Sequence, residues 1–188
     1  MKLKQNLLLI ITTFLLFMSA SSQAARQGVS FYYGLGQTTG LADNTDFDLS
    51  IMGDIMFGVE EDGWALEATA FGGLDATSGD GVQDYSTSGT NFSFIYRTAG
   101  SSNWFKYKIS ITEMDFKYTT SPTNKTDGLT YTIGWGFRAS RDSRIEIDYN
   151  FYSIGNQDNQ PVNLEIDAMH MIRFSYFWGG PEYKGRNF

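Results

Sequence analysis

Between Phe47 and Val59 the chain reads FDLSIMGDIMFGV, with Phe47, Leu49, Ile51, Gly53, Ile55, Phe57 and Val59 on one parity. The other parity holds Asp48, Ser50, Met52, Asp54, Met56 and Gly58. A period of two is the geometry of a β-strand, whose side chains point to opposite faces in turn. One face of this strand meets an apolar medium, and the other tolerates carboxylates. The alternation recurs along the chain and predicts eight strands, over about 29–37, 46–59, 64–74, 90–97, 104–118, 129–138, 144–154 and 166–178. No helical period competes with it, so the expected class is all-β.

The connections alternate as well. Residues 60–63, 98–103 and 139–143 make short turns, whereas 38–45, 75–89, 119–128 and 155–165 make longer polar connections. Sorting loop length by end is the mark of an antiparallel up-and-down transmembrane β-barrel, with short periplasmic turns and long extracellular loops. Trp64, Trp104, Trp135 and Trp178 all fall toward the short-turn end. That placement predicts membrane-interface aromatics, because an amphipathic indole favours the headgroup layer.

The N-terminus adds an address. Lys2 and Lys4 precede the apolar run LLLIITTFLLFM, and Ser22-Gln23-Ala24 follows. This is the pattern of a secretory signal peptide cleaved after Ala24, and its apolar run is too short for a spanning helix. The expected domains are therefore a signal over 1–24 and a barrel over 25–188, the latter ending in a short tail, 179–188. With a formal charge of −7 the chain offers no basic face for nucleic acid. It has no cysteine, which excludes disulfides, thiol catalysis, thiolate metal sites and a lipid-modified cysteine. Aromatic content of 16% and 20 glycines against three prolines suit strands and turns.

A strand crossing a bilayer finds no water for its backbone, so its sheet must close on itself. The apolar parity then faces lipid and the charged parity faces the interior. The interior set comprises Asp48, Asp54, Glu67, Glu146, Asp148 and Asp167 against Arg97, Lys106, Lys108, Arg138, Arg144 and Arg173. An eight-stranded barrel is just wide enough for side chains to fill, and buried charges must be paired. The expectation is an ion-pair network that plugs the lumen, drawn from Asp54, Glu67, Lys106, Lys108, Arg138, Glu146, Asp148 and Arg173.

The final strand, Ile172-Arg173-Phe174-Ser175-Tyr176-Phe177-Trp178, looks like the alternating aromatic signal that ends small outer-membrane barrels. From Val29 to Trp178 the chain resembles the small eight-stranded bacterial outer-membrane β-barrel family of the OmpA-barrel and OmpX type. It departs from that pattern in continuing past Trp178 to Phe188. The resemblance implies an outer-membrane location, contact with lipid and lipopolysaccharide, and handling by the barrel-assembly machinery. The implied role is structural or surface-interacting, in envelope integrity, adhesion or host-factor resistance, with an extracellular partner bound through the loops.

Three other readings stay open at this stage. Some barrels of this class modify lipid A and, as the resemblance implies, use a histidine with a serine or carboxylate nearby. The single histidine, His170, shares parity with Ile172 and Phe174 on the outer wall, and along its own strand it meets only Ile166 and Ala168. General-base chemistry needs a partner within reach, so the expectation is no enzyme. A narrow channel and a soluble lipocalin-like binder with inverted faces are the remaining alternatives. The carboxylates at Asp43, Asp46, Asp75, Asp80, Asp84, Asp127, Asp158 and Glu165 match no calcium-loop spacing. No cofactor or metal site is expected.

Overall fold

The computed structural model describes residues 28–42, 50–73, 76–77, 84–98, 102–118, 123–158 and 168–180. The expected signal segment, most of the tail, Asp48 and Asp167 lie outside these residues, as do Asp43, Asp46, Asp75, Asp80 and Glu165.

The chain forms β1 (Ser30–Ala42), β2 (Ser50–Glu61), β3 (Trp64–Gly73), a two-residue β4 (Ala76–Thr77), β5 (Asp84–Arg97), β6 (Asn103–Tyr118), β7 (Asn124–Ser140), β8 (Ser143–Asp158) and β9 (Ala168–Gly179). Each long strand pairs antiparallel with its sequence neighbour, β9 pairs back with β1, and β3 pairs with β5. The result is a closed, all-β barrel of eight long strands, with β4 a short extension at the edge of β5. Closure leaves no sheet edge unpaired within the wall.

The turn from β2 to β3 shows how tightly the short-turn end is built. Asp62 and Gly63 both take positive φ, at 49° and 86°. Two left-handed residues in a two-residue loop make the type I′ hairpin turn, whose twist matches that of the flanking strands. At the opposite end the strands outrun the sequence expectation. β7 begins at Asn124, not near 129, β5 begins at Asp84, not near 90, and β8 reaches Asp158. Pairings such as Thr87 with Phe116 and Lys125 with Asp158 extend the ladder there. Thr, Asn, Lys and Asp dominate those outer rungs and carry no apolar period, so the pattern could not extend them.

Burial alternates with residue parity around the whole wall. On β6, Phe105, Tyr107, Ile109 and Ile111 are exposed, while Lys106, Lys108, Ser110 and Thr112 are buried. The polar residues are inside and the apolar ones outside, the reverse of a soluble protein.

Candidate functional site: the lumen and the outer wall

The lumen is filled in three layers. Nearest the short turns, one continuous chain of ion pairs crosses the barrel. Glu60 Oε2 receives Arg144 Nη1 at 3.0 Å and Arg97 Nη1 at 3.1 Å. Arg97 Nε reaches Glu146 Oε1 at 2.9 Å, and Lys106 Nζ bridges Glu146 at 2.5 Å and Asp148 at 2.6 Å. Arg173 Nη2 lies 2.6 Å from Asp148 Oδ2 and 3.8 Å from Glu67 Oε1, which Lys108 Nζ approaches at 3.4 Å. All of these side chains are buried. Pairing each charge is the condition for holding it out of water.

Aromatic residues are threaded through this layer. Tyr32 donates its hydroxyl to Glu67 Oε2 at 3.1 Å, and the Arg144 guanidinium lies 4.3 Å from the Tyr32 ring centroid and 4.9 Å from that of Phe177. A guanidinium over a ring face gains from the ring's quadrupole. Two inward glycines make the space: a side chain at Gly58 would overlap Tyr32, and one at Gly136 would overlap Trp104.

Above the ion pairs lies a belt of hydroxyls and amides. Ser93 pairs with Ser110 at 2.8 Å, Thr112 with Thr130 at 2.7 Å, and Thr132 donates to Asn150 Oδ1 at 2.7 Å. Asp54 accepts from Thr38 at 2.5 Å and, with Arg173, lines an inner cavity of about 20 Å³. That is room for about one water molecule. Nearest the long loops, Met52, Tyr85, Met114, Phe116, Tyr152, Met169 and Met171 form a buried apolar cap, with Phe71 packed against it.

Of the residues expected in the lumen, the structure brings together Glu67, Lys106, Lys108, Glu146, Asp148 and Arg173 in the ion-pair chain. Asp54 faces the same lumen one layer higher. Arg138 is a correction. It sits half-buried at the short-turn rim, opposite Arg144, where it lines a notch with Arg141 and Asp142. The β7–β8 register shifts there, between Arg138 and Ser140, and this irregularity takes Arg138 out of the regular inward alternation. Glu60 and Tyr32 were missed. Glu60 opens the stretch expected as a turn, yet it continues the parity of Asp54, Met56 and Gly58 inward.

Three of the four tryptophans lie on the outer wall near the short turns. Trp64 is 50% exposed and stacks on Phe94 at 5.1 Å, Trp135 is 47% exposed, and Trp178 stacks on Tyr33 at 5.4 Å. Trp104 is the second correction. It is 3% exposed and points into the lumen, because it shares the parity of Lys106 and Lys108, not that of Phe105. Position along the barrel axis was read correctly for this indole; its face was not.

His170 lies on the outer wall with a partner that a search along its own strand could not find. Tyr149, on the neighbouring β8, places its hydroxyl 2.5 Å from His170 Nδ1, and the Phe151 ring centroid lies 5.2 Å from that of His170. Among the described residues no group of His, Cys, Asp and Glu is arranged to hold a metal, and no helix is long and apolar enough to cross a membrane. The latter says nothing of strands.

The wall and lumen together define a class, a closed eight-stranded barrel turned inside out, apolar without and ion-paired within. Among solved structures the fold is similar to Neisserial surface protein A, with a TM-score of 0.55 and 12% identity over 80% of this chain and 96% of that one. It is similar to Ail, the attachment invasion locus protein of Yersinia pestis, with a TM-score of 0.53 and 11% identity over 81% and 97%. It is also similar to the N-terminal β-barrel domain of Pseudomonas aeruginosa OprF, with a TM-score of 0.54 and 6% identity over 79% and 97%. The fold is that of small outer-membrane β-barrels. No protein-family model and no curated protein matches the sequence.

Proposed function

We propose that this chain spans the bacterial outer membrane as a sealed barrel and acts through surface interaction or envelope support, not through transport or catalysis. The observation that carries the reading is the inversion of the wall. Large apolar side chains from every long strand, among them Leu35, Ile55, Leu66, Phe94, Ile109, Ile133, Tyr149 and Ile172, stand exposed around the whole circumference. Soluble monomers rarely expose apolar patches beyond a few hundred Å², whereas a bilayer rewards such a belt. A lipocalin-like binder would need the opposite arrangement, with an apolar cavity inside.

The filled lumen supports the second half of the reading. With the ion-pair chain below and the methionine and aromatic cap above, little space is left for a permeating solute. Function then falls to the end with the longer connections, since recognition on a rigid scaffold concentrates in its loops. Two of the similar barrels carry surface or attachment in their names, which agrees with a surface role of this kind. The signal-directed route, contact with lipopolysaccharide and handling by the assembly machinery belong to the same proposal.

The test is to fractionate expressing cells and run the outer-membrane fraction on a denaturing gel with and without boiling. The expected result is a band in that fraction whose mobility changes on boiling, because a closed barrel resists detergent until heated. A periplasmic band with unchanged mobility would overturn the proposal.

A further inference from the structure

Apart from Thr90 and Glu113, which border the outer groove at β5 and β6, one outward amide interrupts the apolar wall. Gln37, on β1, is exposed, and its amide has no hydrogen-bond partner among the described residues. It is not at the edge of the belt. Across the ladder it faces Phe174 on β9 and Gly53 on β2. The next outward residues toward the long loops on those strands, Ile172 and Ile51, are each 46% exposed. A primary amide at this level meets acyl chains on all sides. An amide in hydrocarbon without a partner bears its full desolvation penalty.

The wall beside Gln37 is unusually low. Gly53 pairs with Gly72, and a Cβ added at either would meet nothing within 4 Å. Ala68 and Ala70 continue the depression along β3. With Ile55, Phe57, Phe92 and Ile111 they line an outer groove of about 650 Å³. On the far side of the barrel Tyr131, Ile133 and Tyr149 line a smaller outer groove, of about 420 Å³.

We infer that the β1–β3 face is the contact between two copies of this chain in the membrane. The inference rests on the reading of the chain as a membrane barrel. A two-fold axis beside Gln37 brings the two amides together, and each donates to and accepts from the other. The occupant is self-complementary because an amide carries both donor and acceptor. A lipid tail supplies neither. The small residues let the two walls approach closely, as small side chains do where membrane segments pack together.

The test uses the absence of cysteine from the chain. Gly53→Cys is placed beside Gln37 where the wall is open, and Ile133→Cys is placed on β7 as a control. Both are oxidised in isolated outer membranes and resolved on a non-reducing gel. The expected result is several-fold more covalent dimer from Gly53→Cys, falling to the control level when Gln37→Leu is added. Equal cross-linking at the two positions, or cross-linking that Gln37→Leu leaves unchanged, overturns the inference. The boiled and unboiled gel of each variant shows separately that the barrel has folded. If the unmodified protein fails that gel and the fractionation, the membrane reading itself has failed. If it passes both and no dimer forms, only the inference has.

Discussion

At the short-turn end the lumen holds Glu60, Arg97, Lys106, Glu146 and Asp148 in a chain of charge-to-charge contacts; at the long-loop end the same strands enclose Met52, Met114, Phe116, Tyr152 and Met171 with scarcely a charge among them. Both regions are buried. They differ in what they tolerate. An ion pair depends on its partner, since removing one member leaves an uncompensated charge in a medium that cannot solvate it. A methionine cap depends mainly on volume, because an unbranched thioether adapts to its neighbours. The short-turn end is therefore specified residue by residue, and the long-loop end by shape.

The largest effect should come from Lys106→Met, which takes from Glu146 and Asp148 the cation they share and leaves the buried network one positive charge short. We expect a loss of about 3–5 kcal/mol, read as a lowered urea midpoint for the barrel in lipid vesicles. Adding Glu146→Gln alone to that variant should restore part of the loss, since one carboxylate fewer then matches one cation fewer, and Arg97 keeps Glu60. No recovery would mean that Lys106 acts by packing alone. At the other end, Met52→Leu preserves volume and should cost less than about 1.5 kcal/mol in the same assay. A penalty as large as that of Lys106→Met would erase the distinction between the two regions. Together the regions should keep the lumen shut, so the purified protein in planar bilayers should show no large, stable single-channel steps. Smallest of all is the expectation for His170→Ala, which should leave the lipid A mass spectrum of expressing cells unchanged. Loss of a modified species would return the Tyr149–His170 pair to consideration as a catalytic group.

Much of this architecture was legible because a barrel wall separates two media and so writes its alternation into every strand. Phe105 to Thr112 could be assigned to faces from parity alone. Errors arose where another cue overrode parity. Trp104 was placed outside because indoles favour interfaces, although Lys106 two residues on already marked its face as the inner one. Glu60 was read as a turn residue because it sits beside Glu61, Asp62 and Gly63, yet two left-handed residues suffice for that turn and the strand runs through Glu61. Across-strand relations were beyond reach altogether. Tyr149 meets His170 only through the β8–β9 register, and no periodicity along either strand encodes that register.

The central claim is that one parity of each strand faces lipid and the other a sealed interior, and the chain's own tryptophans test it. Two single-tryptophan variants, one keeping only Trp135 and one only Trp104, with the others replaced by phenylalanine, are folded into vesicles containing lipids brominated near the headgroup end of the acyl chains. The account predicts strong fluorescence quenching of Trp135 and little of Trp104. Equal quenching of the two, or quenching of Trp104 alone, would contradict it.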